Sequence, residues 1–415
     1  MESKDILKIK EYLINENYGI INDLIEIDSP LGLPYIYRFI SIRNNILNNT
    51  NYINNQNYGY GYSFDYNAAM TKSIAEAIER YCSAFIKPDI ITNFTNISNN
   101  ENTILDPRNF ISNIKRYREF NKDNKIARSF VNKVSNNSIA YCPSSLIYLP
   151  LPKTNLFPRF RREDSSGLAA GYSIEFSILN GLYEIIERDS FIIWWCTKSK
   201  YFIIPKSVLN IQVLKIIEEF QKFGIEIDFY DITSNLGVLT VLGVVTTDGR
   251  NNFPKIYIQV KAGFNLNEVI NGLIGELIGG FYSLFEIFLA NKKSKDIYKI
   301  KYYERNAYLY GYKYESISEF IKNRAINKDY KINNLYNSNI SNISKRLEFL
   351  IDILENKNIN VYYKNITTPD IRDLDLFVVR VLTCDLCYME SDFKNYNHKR
   401  LSKNLFVNRN IHPFS

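Results

Sequence analysis

Two short segments of the sequence each place a pair of glutamates three residues apart and follow the pair with an arginine. Residues 76–80 read Glu-Ala-Ile-Glu-Arg, and residues 184–188 read Glu-Ile-Ile-Glu-Arg. Residues three apart lie on the same face of a helix, so each segment would present two carboxylates side by side. The four carboxylates that this pattern singles out are Glu76, Glu79, Glu184 and Glu187.

The surroundings of the second segment indicate what its carboxylates do. Residues 176–186 (Phe-Ser-Ile-Leu-Asn-Gly-Leu-Tyr-Glu-Ile-Ile) and 191–195 (Phe-Ile-Ile-Trp-Trp) are apolar on most sides. A helix that is apolar nearly all round is buried. An ionised carboxylate is costly to bury unless it is paired or bound to a metal, and Arg188 cannot pair cheaply with both glutamates. Mg²⁺, which is commonly shared between carboxylates and phosphates, is the natural partner.

A plainer interpretation exists for parts of this pattern. Glu76, Glu79 and Arg80 could form the solvated face of an ordinary amphipathic helix. Glu175 could be a first-turn acid that follows an N-cap at Ser173 and interacts favourably with the helix dipole. The repetition of the motif in apolar surroundings favours a site over a solvated face.

Each of the two predicted helices follows a segment that contains glycines. Residues 59–61 read Gly-Tyr-Gly and residues 167–171 read Gly-Leu-Ala-Ala-Gly, which predicts a turn before each helix. Helix starts next to such turns leave N–H groups free for phosphate oxygens. The sequence has no Gly-x-x-x-x-Gly-Lys-Ser/Thr loop. If the two helices face each other, the pattern predicts a nucleotide–magnesium site of another kind.

Helical and strand patterns alternate irregularly along the chain, which predicts a mixed α+β fold. We interpret residues 1–55 as an N-terminal segment, residues 56–415 as one domain, and the Asn- and Lys-rich residues 322–344 as a mobile insertion. Apolar periodicity and turn residues predict helices at 205–223, 268–290 and 345–356, and strands at 225–230, 238–246, 255–260, 359–365 and 376–382.

The composition excludes several classes of protein. Of the 415 residues, 46% are hydrophobic and 23% are charged, which is typical of a globular chain and excludes a disordered one. The net charge is +7, but the basic residues are scattered and match no nucleic-acid-binding signature. We therefore expect no nucleic-acid partner.

The sequence also predicts where in the cell the protein is located. The first residues lack a signal-peptide pattern, and no apolar run reaches the roughly 18 residues that span a bilayer. The nearest run, residues 272–290, carries Glu276 and Glu286. We therefore expect a cytoplasmic protein without a membrane segment. Cys384 and Cys387 form a lone Cys-x-x-Cys, which we interpret as two semi-buried thiols rather than a zinc or redox site.

At these residues the chain resembles the YcaO-domain family. Residues 165–171 (Ser-Ser-Gly-Leu-Ala-Ala-Gly), followed by the second glutamate motif, are similar to the most recognisable signature of that family. The first glutamate motif, residues 369–371 (Pro-Asp-Ile) and residues 378–381 (Val-Val-Arg-Val) add to a similarity over residues 55–415. Asp189 and the aromatic run after it look most like the stand-alone, streptolysin-type (SagD-like) branch.

The resemblance implies a YcaO-type fold, in which mixed sheets and packed helices place a nucleotide–magnesium site between the glutamate-bearing helices. It implies a cyclodehydratase of ribosomal peptide natural-product or bacteriocin biosynthesis that depends on ATP and Mg²⁺. Such enzymes phosphorylate backbone amide oxygens so that Cys, Ser or Thr side chains close into thiazolines or oxazolines. By this resemblance Glu76, Glu79, Glu184 and Glu187 would hold Mg²⁺, and the nucleotide would lie near Ser165, Ser166, Glu175, Arg80 and Arg188.

The resemblance also implies partners. The substrate would be a ribosomally made precursor peptide. We recognise no leader-binding winged-helix segment in the sequence, so we expect a separate, E1-like partner protein to bind the leader. A homodimer is left open.

Three departures from the family pattern keep two other functions open. The helix after Gly263 reads Glu-Leu-Ile-Gly-Gly-Phe at residues 276–281 and lacks the Gln and Arg of the family's third motif. Residues 59–61 lack the lysine of a Gly-Lys-Gly, and residues 411–415 hold one proline instead of a proline-alternating tail. The alternatives are a thioamide-forming YcaO enzyme and a non-catalytic scaffold that binds peptide or a partner subunit.

Overall fold

The structure of the chain is a computed structural model. The residues that it describes are 10–44, 57–93, 103–106, 110, 124–161, 163–197, 199–291, 302–312, 317, 321, 324–326, 330, 340–389, 398–401, 408 and 412–413.

Strands are the more numerous elements in this part of the chain. They are β1 (Ile21–Glu26), β2 (Tyr37–Arg43), β3 (Tyr58–Ser63), β4 (Ile90–Asn93), β5 (Thr103–Ile104), β6 (Lys125–Lys133), β7 (Ile139–Pro143), β8 (Leu168–Gly171), β9 (Tyr201–Ile203), β10 (Ile225–Asp231), β11 (Leu239–Thr247), β12 (Ile256–Gly263), β13 (Ala325–Ile326), β14 (Tyr362–Asn365) and β15 (Phe377–Leu382). The helices are α1 (Tyr66–Ala84), α2 (Ile174–Cys196), α3 (Ile211–Gln221), α4 (Leu266–Asn291), α5 (Tyr302–Tyr312), α6 (Ile343–Glu355) and α7 (Pro369–Arg372).

The described strands form three sheets. One sheet has the order β1-β2-β3, and the second has the order β12-β11-β10-β9-β13. The third has the order β5-β7-β6-β14-β15-β8, with β4 paired to β6. Most pairs are antiparallel, while β13 with β9 and β5 with β7 are parallel. The predicted mixed α+β class is confirmed.

The first sheet joins the N-terminal segment to the rest of the chain. Strands β1 and β2 lie within residues 1–55, and β2 pairs with β3 so that Ile40 faces Tyr60. Residues 45–56, which contain the predicted boundary, lie outside the described part. The boundary between residues 55 and 56 therefore stays a prediction, although the two sides share a sheet.

Helix α1 packs closely on β3, and this packing explains the first pair of glycines. Asp65 caps the helix by accepting the N–H of Ala68. A Cβ atom on Gly61 would lie 1.9 Å from the carbonyl oxygen of Ala69, and one on Gly59 would lie 2.2 Å from that of Ser73. The expectation of a turn at residues 59–61 was wrong, because the glycines lie inside a strand that only glycine lets approach the helix backbone.

Helix α2 is buried, as its apolar sequence predicts. Ser173 caps it by accepting the N–H of Phe176, and Ile185 and Ile186 have no exposed surface. Residues 168–171 before it form strand β8 rather than the expected turn. Gly167 has a φ of +84°, and a Cβ atom on Gly181 would lie 2.8 Å from its carbonyl oxygen. Glycines therefore let the motif loop and the helix meet.

Helix α4 is long and apolar enough, by length and composition, to cross a membrane, with a mean hydropathy of 1.6 over an 18-residue window within residues 266–290. It packs instead against β3, β11 and β12, and 56% of that window is buried inside the protein. Glu286 on this helix makes a two-point ion pair with Arg38, which is 1% exposed. These contacts are those of a core helix.

Other expected elements are found with shifted ends. Helix α3 begins at Ile211 rather than at residue 205, because Asn210 caps it by accepting the N–H of Val213 and residues 206–208 form a separate 3₁₀ turn. Strands β10, β11 and β12 match the three strands predicted between residues 225 and 260. Most of residues 322–344 lie outside the described part, where the predicted insertion stays untested, but β13 within them pairs with β9.

Candidate nucleotide–magnesium site

Each of the four glutamates accepts a hydrogen bond from a backbone N–H of another segment. These bonds run from Tyr60 to Glu76 (2.8 Å), from Ala170 to Glu79 (2.8 Å), from Gly167 to Glu184 (2.8 Å) and from Ala262 to Glu187 (2.9 Å). A hydrogen bond to a charged acceptor fixes the orientation of the carboxylate and favours its ionised form. The N–H groups expected to bind phosphate near the two helix starts are, in this structure, partners of the carboxylates.

The backbone donors share a position in the fold. Tyr60 lies in β3, Ala170 in β8 and Ala262 in β12, and each of these strands is the edge of its sheet, while Gly167 immediately precedes β8. An edge strand has N–H groups that no neighbouring strand satisfies. The site therefore lies where the edges of three sheets meet helices α1 and α2.

The two glutamate helices face each other across β8. The N–H of Ala170 in the segment before α2 binds Glu79 of α1. Burial raises the pKa of Glu79 to about 8 against the lowering effect of Arg80, and the charges of Glu76 and of Glu184 on the other helix contribute to the rise. The segment before α2 therefore contacts the first motif directly, while the joint binding of a metal by the four carboxylates stays a prediction.

Glu187 is held in a second, similar environment. Burial raises its pKa to about 7, against the lowering effects of Lys261, Arg188 and the N–H of Ala262. A carboxylate whose pKa is raised by burial gains from a cation that comes near it. Glu79 and Glu187 are therefore the two groups of the site that favour binding of a cation most directly.

The two arginines of the motifs pair within their own helices. Arg80 donates to Glu76 at 2.8 Å, and Arg188 donates to Glu184 at 3.2 Å, each one turn along the helix. Burial works against the charge of Arg80, but Glu76 and Glu79 outweigh it and raise the pKa of the guanidinium. Both guanidinium groups therefore lie beside the carboxylates, where they could also contact a nucleotide.

Ser165 and Ser166 lie in the loop before β8, next to the residue that binds Glu184. The carbonyl oxygen of Ser165 accepts the N–H of Leu168, and Ser166 is 3% exposed. Asp164 accepts the N–H of Ser166, and the buried Arg380 donates to the carbonyl oxygen of Asp164 at 3.0 Å. Sequence analysis assigned no role to Asp164, which orders this loop together with Arg380.

Glu175 is not drawn into the same cluster. It lies in the first turn of α2 and is exposed. Nine residues separate it from Glu184, which corresponds to about 13 Å along a helix axis. Its predicted contact with the nucleotide stays a prediction, and its position fits the alternative of a first-turn acid.

Sequence analysis missed three charged residues that border the site. Lys72 of α1 and Lys261 of β12 each place the ammonium nitrogen 2.9 Å from Oε1 of Glu276 on α4. Burial would raise the pKa of Glu276, but the two lysines outweigh it and lower that pKa to about 2. Two features of the sequence could have indicated these residues. Glu276 lies in an apolar run, and Lys72 lies four residues before Glu76 on the same helix face.

The donor set fits Mg²⁺. Carboxylate oxygens are the ligands that this ion prefers, and it usually takes one or two of them together with phosphate oxygens and water. Among the residues that the structure describes, no three His, Cys, Asp or Glu side chains are arranged to hold one metal ion by themselves.

The Cys-x-x-Cys pair has no part in this site. Neither Cys384 nor Cys387 forms a disulfide. Nδ1 of His398 lies 3.4 Å from the sulfur of Cys387. Cys384 is half-buried, as expected for both thiols, whereas Cys387 has no exposed surface.

Comparison with known proteins identifies the family. The family model described as YcaO cyclodehydratase, ATP- and Mg²⁺-binding, matches residues 60–387, which is more than half of the chain. The chain belongs to the YcaO family. ATP and Mg²⁺ are the cofactors of that family, and the glutamate site of this YcaO protein lies within the matched residues.

Solved structures share the fold. A heterocyclase in complex with substrate and cofactor has a TM-score of 0.74 at 18% identity, over 93% of this chain and 53% of its own. In the Escherichia coli microcin synthetase McbBCD complex with pro-MccB17 bound, one chain has a TM-score of 0.68 at 16% identity, over 94% of this chain and 100% of its own. YcaO from Methanopyrus kandleri, bound with AMPPCP and Mg²⁺, has a TM-score of 0.60 at 12% identity, over 92% of this chain and 89% of its own.

A curated relative is similar over a shorter stretch. An uncharacterized protein of Methanothermobacter thermautotrophicus is 27% identical over 103 residues, which are 25% of this chain and 27% of the relative. The chain thus spans about a quarter of that relative and about half of the heterocyclase chain. The YcaO family and fold follow from these matches.

Proposed function

We propose that this YcaO protein uses ATP and Mg²⁺ to activate backbone amides of a ribosomally made precursor peptide, and that it closes Cys, Ser or Thr residues into thiazolines or oxazolines. The observation that carries the proposal is the set of four glutamates on α1 and α2, each held by a backbone N–H that lies in an edge strand or, for Glu184, immediately before one. The match to the ATP- and Mg²⁺-binding family over the same residues supports it.

The reaction suits this arrangement of charges. The amide oxygen of the peptide attacks the γ-phosphorus of ATP, and ADP leaves. The neighbouring thiol or hydroxyl then adds to the amide carbon, the former amide oxygen departs as phosphate, and loss of protons from the nucleophile and the nitrogen completes the ring. Phosphorylation is the decisive step because an amide oxygen is otherwise a poor leaving group.

The side chains of the site would serve the transfer in distinct ways. Bound Mg²⁺ would neutralise charge on the transferring phosphoryl group, and Glu76, Glu79, Glu184 and Glu187 would hold it. Arg80 and Arg188, which their glutamate partners orient, would contact the nucleotide. The loop of Ser165 and Ser166, fixed by Asp164 and Arg380, would border it.

Finer assignments belong to the same proposal. Asp189 and the aromatic residues after it support the stand-alone, streptolysin-type branch. The partner would be an E1-like protein that binds the leader of the precursor peptide, and the enzyme would act in the cytoplasm during maturation of a bacteriocin or a related peptide. The microcin synthetase McbBCD, one chain of which shares the fold, is itself described as a complex with pro-MccB17 bound.

Two measurements test the proposal. Calorimetry with ATP should detect binding only when Mg²⁺ is present, and Glu184→Gln should abolish it. Glu218→Gln, on the exposed face of α3, is the matched control and should bind like the parent. Absence of Mg²⁺-dependent binding in the parent would favour the scaffold function instead.

Mass spectrometry identifies the product. The peptide encoded beside the gene of this chain should lose one water mass for each ring when it is incubated with the protein, its partner, ATP and Mg²⁺. Exchange of oxygen for sulfur in the presence of sulfide would assign thioamide formation, the other function left open by the sequence.

A further inference from the structure

Three elements place charged side chains around one carboxylate oxygen beside the glutamate site. Lys72 of α1 and Lys261 of β12 both approach Oε1 of Glu276 on α4, each at 2.9 Å. Lys72 also donates to the carbonyl oxygen of Tyr62 at 3.3 Å. Two ammonium groups share one carboxylate, so the trio carries a net positive charge.

The trio is continuous with the glutamate site. Lys72 lies one helical turn before Glu76, and Lys261 directly precedes Ala262, whose N–H holds Glu187. Glu276, Glu187 and Glu184 all act on the ammonium group of Lys261, and together they outweigh burial and raise its pKa. Both lysines therefore lie next to elements that carry the carboxylates predicted to bind Mg²⁺.

The fold leaves room for the side chain of Lys261. Gly272 lies one turn before Glu276 on α4, and a Cβ atom on it would lie 2.6 Å from Cε and 3.0 Å from Cδ of Lys261. Any other residue at this position would displace the lysine stem. The absence of a side chain at Gly272 thus keeps the ammonium group of Lys261 beside Glu276.

We propose that Lys72 and Lys261 bind the polyphosphate of the nucleotide in this protein, and that Glu276 holds the two ammonium groups at that place. The inference rests on the proposed function, because it concerns the same ATP site. Arg80 and Arg188 are each engaged with a glutamate of their own helix, whereas the two lysines share a single partner. The ammonium group of a lysine is a compact charge with three hydrogen-bond donors. It can therefore bind phosphate oxygens without the fixed planar geometry that the guanidinium group of an arginine requires.

The test compares two nucleotides that differ in the length of the phosphate chain. Binding of AMPPNP and of AMP, each with Mg²⁺, is measured by calorimetry for the parent and for Lys72→Met and Lys261→Met. We expect each substitution to weaken AMPPNP binding by about tenfold, as for a lost hydrogen bond between charged groups, and AMP binding by less than about threefold. Lys215→Met, on the exposed face of α3, should leave both affinities unchanged.

Two further variants separate a role in binding from a role in folding. Gly272→Ala keeps every charge and replaces a glycine within a helix by a residue that favours the helix, yet it displaces Lys261. It should weaken AMPPNP binding selectively while circular dichroism shows the parent's melting temperature or a higher one. Lys72→Arg keeps the positive charge and should retain AMPPNP binding within about threefold of the parent.

The outcomes distinguish this inference from the function on which it rests. If the parent binds AMPPNP but Lys72→Met and Lys261→Met bind it equally well, the two lysines only join α1, β12 and α4, and the inference is overturned while the proposed function stands. Equal weakening of AMPPNP and AMP would also overturn it. If the parent binds neither nucleotide, the proposed function fails and the inference fails with it.

Discussion

The N–H of Ala170 donates to the carboxylate of Glu79 at 2.8 Å, across 91 residues of sequence. Ala170 belongs to the edge strand that leads into α2, and Glu79 belongs to α1, so this bond joins the two glutamate motifs. Without such contacts, each motif would be a local feature of one helix. With them, carboxylates of both motifs lie near each other, and a cation bound there would favour their ionised forms.

Glu79→Gln should separate nucleotide binding from stability. The amide oxygen of Gln can still accept the N–H of Ala170, but its charge is lost. Because burial raises the pKa of Glu79 to about 8, the ionised form is unfavourable in the folded protein, and the variant should melt at the same temperature as the parent or higher at pH 9. The rise in melting temperature that ATP and Mg²⁺ cause in the parent should be lost. A variant that melts lower than the parent at pH 9 would contradict this account.

Gly167→Ala should destabilise the protein far more than the same change at another glycine with positive φ. The new Cβ atom would lie 2.4 Å from the carbonyl oxygen of Val381, and the φ of +84° would be strained as well. Gly224 has a φ of +71° but nothing within 4 Å, so Gly224→Ala measures the backbone strain alone. We expect a loss of about 1 kcal/mol at Gly224 and about 3 kcal/mol or more at Gly167 in urea unfolding. Equal losses would show that the loop and β15 can move apart.

Arg400→Met should lower the free energy of unfolding, because it leaves the buried carboxylate of Asp189 without its cationic partner. Asp189 of α2 has no exposed surface, and Arg400 donates to both of its oxygens, at 2.7 and 2.8 Å. Removal of one partner from such a pair typically costs about 3–5 kcal/mol. Urea unfolding should show this loss, and Asp189→Asn combined with Arg400→Met should cost less than the two single changes added together.

A surface ion pair provides the control for that experiment. Arg250 and Asp248 form an ion pair with each other, and their side chains are 86% and 47% exposed, respectively. Arg250→Met should therefore change the free energy of unfolding by less than about 1 kcal/mol. Similar losses at Arg400 and Arg250 would show that Asp189 is not isolated from water as the structure has it.

His398 should make stability depend on pH in a defined range. Burial, together with the charges of Lys399 and Arg400, lowers its pKa from 6.5 to about 4. Between these values the unfolded chain binds a proton that the folded protein does not, so stability should fall as the pH falls from 6.5 towards 4. The parent should lose about 2 kcal/mol more than His398→Gln between pH 7 and pH 5. Parallel unfolding curves for the two proteins would show that His398 titrates normally when folded.

The sequence by itself determined the chemistry of the site. The spacing of Glu76 with Glu79 and of Glu184 with Glu187 follows from helix geometry, and the apolar surroundings of the second pair indicate burial, so both could be read without coordinates. The mixed α+β class and strands β10 to β12 followed from local periodicity. The resemblance to the YcaO family rested on the same residues.

Only the tertiary structure decided which partners those carboxylates have. Tyr60, Ala170 and Ala262 donate because they lie in edge strands, and the edge of a sheet depends on pairing between distant segments. The same is true of Lys72, Lys261 and Glu276, which come together from three different elements.

Gly59 and Gly61 were interpreted as a turn because the sequence alone does not distinguish a glycine that a turn requires from one that close packing requires. Local sequence patterns therefore indicate the chemical role that a side chain can have, whereas packing between distant segments determines which groups it contacts.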